Sequence, residues 1–548
     1  MSLPPPFLTP VPEQTALIAH QAFPQGNLYL QMRDVLGTIY EDDLFAAVYS
    51  GEGQPALHPW QLALVTVMQF AENLTDRQAA DAVRARLDWK YALNLEVTDA
   101  GFHYSVLCEF RNRLLTGHLE HVLLDRLLML CAERGWFQQH GRQRTDSTYV
   151  LGAVKSLNIL ELVGETVRHV LNVLATVVPE WLRTQVPTEW FERYGERIED
   201  YRLPKEQTIR DALSVTYGKD GFLILAWVEQ DETMAWLNDI PAVHTLRQVW
   251  TQQYRWHDGQ VERLTPTEMI GSGKWIRSPY DPEVRFGKKR AFEWTGYKVH
   301  LTEACDETTP HLITQVHTAP AMEQDHHALT TIQADLAANN RLPGEHLVDA
   351  GYVSAKRIIH SRERHGIDLV GPVHSDPSWQ ARTPGALDVS QFTIDWQAEQ
   401  VICPHDQHSA SWFPSHDAKG ESVVQILFAK QTCMPCPLRD RCTKARTTGR
   451  SLTIRFPQER HDELQAARQR QRTPEFRDTY RAHCGIEGTF AQTTRLTGMR
   501  RARYVGTAKT HLQHVCTAAA TNVLRVMRWL NDTPFAPTRV SRFAALAA

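Results

Sequence analysis

The chain has 548 residues, 42% hydrophobic and 22% charged. It is therefore long enough to bury a large core and to form roughly three or four structural units. The net charge of −4 conceals an uneven distribution, because residues 1–60 carry six acids against Arg33 alone and the basic residues gather toward the C-terminal part. The start, MSLPPPFLTPVPEQ, lacks a signal-peptide pattern, and no apolar run reaches the ~18–20 residues that cross a bilayer, so we expect a cytoplasmic protein without membrane contact.

Residues 1–138 are predicted to form a helical domain. PWQLALVTVMQFAENL (59–74) begins with proline at a first helical position and has a dense apolar face, which indicates a buried helix. Thr75 with Gln78 forms a capping-box pattern that opens a second helix, and a third helix is expected to stop at Gly117. Two short consecutive helices fit either a DNA-reading helix-turn-helix or a helical bundle that supports dimerisation.

Residues 139–154 are predicted to contain the first strand of a sheet. β-Branched and aromatic residues surround Asp146, which is either a site residue or an ordinary strand-edge acid. Residues 155–290 form a mainly helical insertion that continues to about Tyr254. Its first helix places one apolar stripe on a single face: Leu160, Val163, Val167, Val170 and Leu174.

Residues 291–375 show strand, strand, helix, strand, helix and strand signals in that order. Following the earlier strand at Asp146, this pattern predicts an α/β sheet. The signals lie in WTGYKVHLTEA (294–304), HLITQVHTAPA (311–321), DHHALTTIQADLAANN, EHLVDAGYVSA, SAKRIIHSRERHG and IDLVGPV (367–373). Asp349 follows the short strand HLV, at a strand end where α/β sheets often carry site residues, although an ordinary turn aspartate fits the same pattern.

Residues 376–457 contain a cluster of cysteines. Nine cysteines in a large chain argue against a disulfide framework, and four of them, Cys403, Cys433, Cys436 and Cys442, lie within 40 residues. Four thiolates suit a closed tetrahedral zinc site, so we expect structural Zn²⁺ in a zinc-ribbon-like insertion. His405 or His408 could replace Cys403, and unligated thiols are the alternative. Residues 427–456 carry seven Lys or Arg against Asp440 alone, which fits a phosphate backbone.

Residues 458–530 are predicted to hold basic C-terminal helices, followed by a tail at 531–548. A helix from about Pro474 would place Tyr480, His483 and Glu487 on one face, and it is expected to end at Gly498. Gly485 and Gly488 flank the acid, which is tolerable if the sheet or a DNA strand approaches closely. A solvated helix glutamate is the alternative.

Glu487 stands at the edge of a basic stretch. The 44 positions between it and Asp532 contain seven cations and no acid: Arg495, Arg500, Arg501, Arg503, Lys509, Arg525 and Arg528. Arginine pairs in bidentate fashion with phosphate, and Tyr504 could stack on an unpaired base, so Arg500, Arg501 and Arg503 are candidate DNA contacts. A solvated basic loop is the alternative.

Several stretches together resemble the DDE transposases of bacterial insertion sequences. They are RTDSTYVLGAV, YDPEVRFGKKR with WTGYKVHLTEACD, HLVDAGYVSA, CMPCPLRDRC and YRAHCGIEGTFAQTTRLTGMRRARYVGTAKTHLQHV, spanning about residues 140–528. The helical N-terminal region also looks like the one that precedes this catalytic domain. The resemblance implies a ribonuclease H-like catalytic sheet.

The same resemblance implies that Asp146, Asp349 and Glu487 form a catalytic triad. Three neighbouring carboxylates would repel one another unless divalent cations neutralise them, and oxygen ligands favour two ions of Mg²⁺ or Mn²⁺. The expected DNA contacts are Lys288, Lys289, Arg290, Tyr480, His483, Arg495, Arg500, Arg501, Arg503, Tyr504 and Lys509. This chain departs from the family pattern Tyr-x2-Arg-x3-Glu-x6-Lys, since the Arg position is His483 and the Lys position is Thr494.

The resulting functional expectation is metal-dependent cleavage of double-stranded DNA at the terminal inverted repeats of an insertion sequence, followed by strand transfer into target DNA. We expect a homodimer assembled on DNA, associated with the bacterial nucleoid. Two alternatives remain: a metal-dependent nuclease of the same fold that never joins strands, and a non-catalytic DNA-binding protein whose zinc module and basic helix are the functional parts.

Overall fold

The computed structural model describes residues 2–5, 10–265, 267–269, 271–418, 420–533, 542–543 and 546. Within them the chain forms a mixed α/β structure, as predicted. Most of the expected tail, 531–548, lies outside the described residues. Among the described helices, none has both the length and the apolar character needed to cross a membrane.

The N-terminal part is helical. The predicted capping box at Thr75 and Gln78 is present, and the helix before Gly117 ends there as expected. Pro59 opens a helix that is buried along nearly its whole length. The helices are α1 (Glu13–Ala22), α2 (Leu28–Leu36), α3 (Pro59–Ala71), α4 (Asp76–Ala85), α5 (Leu87–Ala92), α6 (Ser105–Thr116) and α7 (Val122–Glu133), with a 3-10 helix at Asp42–Val48.

A helical insertion with its own hydrophobic core follows the first strand, β1 (Arg142–Leu151). A capping box at Asn158 and Glu161 starts its first helix, and the predicted apolar stripe from Leu160 to Leu174 is buried. The elements are α8 (Ile159–Val177), α9 (Pro179–Gln185), α10 (Glu189–Tyr194), α11 (Gln207–Gln230), α12 (Pro241–Gln253), β2 (Tyr254–His257) and β3 (Gln260–Arg263), with 3-10 helices at Asp200–Arg202, Glu232–Asp239 and Ser272–Lys274.

The central sheet contains β1 and five later strands. They are β4 (Arg285–Lys289), β5 (Phe292–Ala304), β6 (Ile313–Pro320), β7 (Glu345–Val348) and β8 (Asp368–Val370), with α13 (Asp325–Ala338) and α14 (Ala355–His365) between the later ones. β5 pairs antiparallel with β1 on one side and with β4 and β6 on the other. β1, β7 and β8 run parallel to one another, so β1 is the strand at which the sheet changes from antiparallel to parallel pairing.

A small module with its own core lies between β8 and the C-terminal helices. It comprises α15 (Trp379–Arg382), β9 (Thr393–Asp395), β10 (Gln400–Ile402), β11 (Ser411–His416), β12 (Ser422–Leu427), α16 (Lys430–Cys433), α17 (Arg439–Cys442) and β13 (Ser451–Arg455), with a 3-10 helix at Val389–Gln391. Two antiparallel strands, β9 and β10, and a three-stranded antiparallel sheet, β11–β12–β13, form its framework.

The C-terminal helices complete the main core. They are α18 (Gln458–Arg470), α19 (Pro474–Arg481), α20 (Gly485–Thr497) and α21 (Thr507–Leu530), with a 3-10 helix at Ala482–Cys484. One continuous hydrophobic core joins the N-terminal helices to the sheet and to α20 and α21, with Phe70, Leu301, Phe490 and Val515 among its members. The N-terminal helices therefore share one core with the central sheet and the helices that cover it.

A buried charge cluster links four of these elements. Glu303 on β5 is fully buried and accepts hydrogen bonds from Arg144 on β1 at 2.6 Å and Arg525 on α21 at 2.7 Å. The Thr489 hydroxyl on α20 donates to the same carboxylate at 2.6 Å. Burial alone would raise the pKa of Glu303, but the charges of Arg525 and Arg144 hold this pKa below its ordinary value.

We expect the substitution Glu303→Gln to lower the free energy of unfolding by about 3–5 kcal/mol, because it leaves two guanidinium groups buried without a counter-charge. Urea titration measures the change. Glu293→Gln is the matched control, since Glu293 pairs with Lys288 at 2.7 Å in an exposed position, and such pairs contribute about 0–1 kcal/mol.

The stabilisation should also depend on pH. Because folding lowers the pKa of Glu303, its contribution is complete above the pKa of ~4.3 of an unfolded glutamate and is lost as pH falls through the lower folded pKa. The difference in free energy of unfolding between the unaltered chain and Glu303→Gln should thus shrink only under acidic conditions. Equal urea midpoints for the two glutamine variants at neutral pH would contradict the assignment.

Candidate active site

Asp146 and Asp349 lie side by side on neighbouring parallel strands. β1 and β7 pair with Thr145 opposite Val348, and each aspartate is the next residue of its chain. Parallel strands are separated by roughly 4.8 Å, so the two carboxylates occupy the same level of the sheet. Each aspartate carboxylate accepts a hydrogen bond at 2.7 Å from the backbone N–H of the residue that follows it. The sheet thus brings together two of the three predicted catalytic acids.

The pair concentrates negative charge. Burial raises the pKa of Asp146, and the nearby charge of Asp349 raises it further, while the Ser147 amide, His483 and Lys289 act in the opposite direction. Burial, together with the charges of Asp349 and Asp146, also raises the pKa of the Tyr480 hydroxyl. A cation bound at the pair would relieve this repulsion.

Glu487 lies in the first turn of α20 and is exposed. The residues before it are fixed to β1 beside Asp146. Arg144 donates to the carbonyl oxygen of Ala482 at 2.5 Å, and the His483 Nε2 lies 3.1 Å from the carbonyl oxygen of Thr145. The start of α20 is therefore held against the strand that carries the first aspartate.

Gly485 permits this close approach. A Cβ at Gly485 would lie 2.1 Å from the Nη1 atom of Arg144, so any side chain would displace the guanidinium group. A Cβ at Gly488 would meet nothing within 4 Å. The predicted close approach therefore applies to Gly485, where the neighbour is the sheet, whereas Gly488 faces open space.

The prediction of one helix carrying Tyr480, His483 and Glu487 on a single face is wrong. The 3-10 helix at Ala482–Cys484 separates α19 from α20. His483 is buried and its ring stacks on Tyr480, with centroids 5.1 Å apart, whereas Glu487 points to solvent. The physical reason is the bond from Arg144 to the Ala482 carbonyl, which draws the backbone onto the sheet at that point.

The donor chemistry of the acids fits a divalent cation only in part. Asp146 and Asp349 are adjacent oxygen ligands of the kind that Mg²⁺ prefers. Among the residues that the structure describes, however, no group of three or more His, Cys, Asp or Glu side chains is arranged to hold a metal ion. Glu487 lies on α20, whose start is held against β1, but the described geometry does not close a three-ligand set.

The four clustered cysteines line one cavity. Cys403, Cys433, Cys436 and Cys442 surround a space of about 30 Å³, enough for one water-sized species. All four are free thiols. Burial raises the pKa of Cys442, and the other three cysteines raise it further, although Arg450 opposes them. Four soft ligands around an ion-sized cavity fit zinc chemically. Among the described residues, however, the four thiols are not arranged closely enough to form a metal site.

Comparison with protein families gives two matches. Residues 18–113 match a family described as "Transposase domain (DUF772)", and residues 402–527 match one described as "Transposase DDE domain". A comparison with curated proteins finds no match.

The two matches support a DDE transposase of the insertion-sequence type. The segment that matches the DDE domain contains the four clustered cysteines, Glu487 and α20, and the other match covers most of the N-terminal helices. Asp146 and Asp349 lie between the two matched ranges, and their assignment depends on the sheet geometry and on the sequence pattern.

The predicted DNA contacts differ in exposure. Lys288 and Lys289 are the last residues of β4, Arg290 follows them in the turn to β5, and all three are exposed. Further along the chain, Arg495, Arg501 and Lys509 are exposed, Tyr480, Arg500, Arg503 and Tyr504 are half-buried, and His483 is buried. The exposed side chains are accessible to a phosphate backbone, although Lys288 also pairs with Glu293. The half-buried and buried side chains have contacts within the chain.

Arg500 is held against β1. Its Nε donates to the Thr148 hydroxyl at 3.0 Å, and its guanidinium lies 5.0 Å from the ring centroid of Tyr149. The backbone around Arg500 pairs with the end of β1, where the Leu151 N–H donates to the Arg500 carbonyl at 2.8 Å. The predicted end of the glutamate helix at Gly498 is confirmed, with a left-handed φ of 67°.

Arg503 and Tyr504 join the active-site region to the N-terminal helices, which differs from the predicted contact with DNA. Arg503 donates to the carbonyl oxygen of Leu74 at 3.1 Å and lies 4.6 Å from the ring centroid of Phe70. Arg111 lies 5.3 Å from the ring centroid of Tyr504, so the ring that was expected to stack on a base contacts a guanidinium instead.

The sequence did not reveal several residues that shape the site. Arg144 and Glu303 hold the start of α20, and Asp325 contacts the chain next to both aspartates. Arg144 lies in the same strand pattern as Asp146, two residues earlier on the same face. Its partner lies 159 residues away, and no local signal indicates that pairing.

Two arginine substitutions separate DNA binding from packing. We expect Arg501→Ala to weaken DNA binding and to reduce the slope of log affinity against log salt by roughly one unit for each phosphate that the protein no longer neutralises. Arg503→Ala should leave this slope unchanged and lower the thermal unfolding midpoint, because it removes the link between the N-terminal helices and the segment after α20. Binding titrations at several salt concentrations and thermal unfolding test both variants. A changed salt slope in Arg503→Ala together with an unchanged slope in Arg501→Ala would contradict the assignment of Arg501 to DNA binding and Arg503 to packing.

Proposed function

We propose that this transposase cuts DNA at the ends of an insertion sequence and joins the freed 3′ ends to target DNA in a reaction that requires divalent metal. The observation that carries the proposal is that Asp146 and Asp349 directly follow the paired residues Thr145 and Val348 of two adjacent parallel strands, with the start of α20 held against β1. The strand order, with antiparallel β6, β5 and β1 followed by parallel β7 and β8, supports a ribonuclease H-like catalytic sheet.

Asp146 and Asp349 are the residues that would hold the metal, with Glu487 as the third ligand from α20. When bound, two Mg²⁺ or Mn²⁺ ions supply the positive charge that activates a water molecule and stabilises a departing 3′ oxygen. In the first reaction, water attacks phosphorus and the bond to the 3′ oxygen breaks. In the second, the freed 3′ hydroxyl attacks a target phosphodiester and releases the target's 3′ oxygen.

The exposed cations are suited to hold the DNA during these steps. Arg495 lies on α20, two turns beyond Glu487, and Lys289 is close enough to Asp146 to lower its pKa. Arg501 and Lys509 continue the exposed set beyond the helix. We propose that these side chains bind phosphates while the acids bind metal, so that both groups act on one substrate at different atoms. We further propose that two chains assemble on the DNA.

Asp349→Asn should abolish cleavage of a DNA substrate that carries the element ends, while DNA binding without divalent metal is retained, because the change removes a metal ligand and preserves the side-chain shape. Asp368→Asn is the matched control. Asp368 is an exposed acid at the start of the neighbouring strand, where it pairs with Arg470 at 2.7 Å. Cleavage by Asp349→Asn at the control's rate would remove Asp349 from the mechanism.

An assay with pre-cut ends separates the transposase from a nuclease that never joins strands. Supplying a 3′ hydroxyl end bypasses the first reaction, and we expect joined products with target DNA from the unaltered chain and none from Asp349→Asn. Cleavage of intact ends without any joining of pre-cut ends would favour the nuclease.

We also propose that the four cysteines bind one structural zinc ion. The common cavity and the free thiols support this proposal. Neither His405 nor His408 is among the described residues that line the cavity, which favours Cys403 as the fourth ligand. The module has a small core, so a metal would contribute much of its stability.

Replacing Cys433 or Cys436 by Ser should release about one zinc ion per chain and increase protease cleavage within residues 403–456. Elemental analysis of the purified chain and limited proteolysis provide the two measurements. Cys108→Ser, at an exposed thiol in the N-terminal helices, is the control and should keep its zinc. Equal zinc contents in all three variants would defeat the assignment.

A further inference from the structure

Asp325 lies behind the candidate site, at the first position of α13. Its Oδ1 accepts a hydrogen bond from the Ser147 hydroxyl at 3.1 Å and from the Lys298 Nζ at 3.0 Å. Lys298 also donates to the carbonyl oxygen of Glu323 at 2.6 Å. Lys298 neutralises the carboxylate and holds the first turn of α13 in place. Asp325 therefore presents a fixed acceptor to β1.

Ser147 connects Asp325 to the first aspartate. Successive strand residues point to opposite faces of the sheet, so the Ser147 side chain lies on the face of α13 while Asp146 lies on the face of α20. The Ser147 N–H donates to Asp146 Oδ1 at 2.7 Å. One residue therefore receives its orientation from Asp325 behind the sheet and orients a metal-ligand candidate in front of it.

Asp325 also contacts the turn that follows the second aspartate. A Cβ at Gly351 would lie 2.9 Å from Asp325 Oδ2, so the turn packs on the carboxylate and a side chain at this position would displace it. The turn is closed by the Tyr352 N–H, which donates to the Asp349 carbonyl at 3.0 Å. The Tyr352 hydroxyl, in turn, lies 2.6 Å from the Nδ1 of buried His300.

We infer that Asp325 is a positioning residue that fixes Asp146 and Asp349 relative to one another for metal binding. Its carboxylate contacts both the neighbour of Asp146 and the turn after Asp349. The inference depends on the proposed metal site and adds to it a residue that does not itself bind the ion. Groups that orient metal ligands typically change metal affinity by about 10–100-fold when they are removed.

A double-mutant cycle tests this role through Mn²⁺ binding, measured by the signal of free Mn²⁺ in electron paramagnetic resonance. We expect Asp325→Asn and Ser147→Ala each to weaken Mn²⁺ binding, Asp325→Asn by about 10–100-fold. The double variant should bind no more weakly than Asp325→Asn alone, because asparagine lacks the charge that Lys298 holds in place and both changes act through the contact between Ser147 and residue 325. If the fold-changes in Mn²⁺ affinity of the two single variants multiply in the double variant, the two residues act independently and the inference is overturned.

Two controls separate positioning from other causes. Asp335→Asn removes a charge from the same helix at a residue that bonds Gln315, and it should leave Mn²⁺ affinity unchanged. Thermal unfolding without metal identifies a change that only destabilises the fold. If Asp325→Asn does not fold, Ser147→Ala carries the test alone, and unchanged Mn²⁺ binding in that variant overturns the inference.

The outcome also distinguishes this inference from the proposed function. Loss of Mn²⁺ binding in Asp146→Asn together with unchanged binding in Asp325→Asn would leave the metal site in place and remove the positioning role. Equal Mn²⁺ binding by the unaltered chain and Asp146→Asn would show that the aspartate pair is not a metal site, and both proposals would then fail.

Discussion

The buried carboxylate of Glu303 constrains the whole arrangement around the candidate site. It is fully buried, and Arg144, Arg525 and Thr489 bind it from three different elements. A buried charge without partners costs several kcal/mol, so β1, β5, α20 and α21 are stable only when they assemble together. Arg144 lies two residues before Asp146, and Thr489 lies two residues after Glu487. The ion cluster therefore fixes the strand of one acid to the helix of another.

The sequence predicted elements where the determining interactions are local. The capping box at Thr75, the helix end at Gly498 and the strand signalled by β-branched and aromatic residues around Asp146 each involve residues close together in the chain, and the structure contains all three features. The break between α19 and α20 depends instead on Arg144 reaching the carbonyl oxygen of Ala482, 338 residues away. Helical periodicity carries no information about such a partner, so one continuous helix was the natural expectation.

The same distinction explains which part of the candidate site could be predicted. The alternation of strands and helices predicts an α/β sheet, and the grouping of Asp146 with Asp349 is what the resemblance implies. The structure brings these two residues to neighbouring parallel strands. The role of Arg503 could not be deduced, because charge in a sequence shows a potential partner for phosphate but not a tertiary contact with Phe70 and Leu74. Asp325 was missed for a similar reason, since an acid in the first helical turn is also an ordinary stabilising feature.

The isolation of Glu487 beside a basic stretch has two physical causes. Three of the arginines stabilise the fold. Arg525 neutralises Glu303, Arg500 binds β1 and Arg503 binds the N-terminal helices. These arginines are already engaged, and a further acid nearby would compete for them. The remaining cations, Arg495, Arg501, Lys509 and Arg528, are exposed. An acid paired with them would reduce their attraction for phosphate, so the absence of such an acid agrees with the proposed binding of DNA by this stretch.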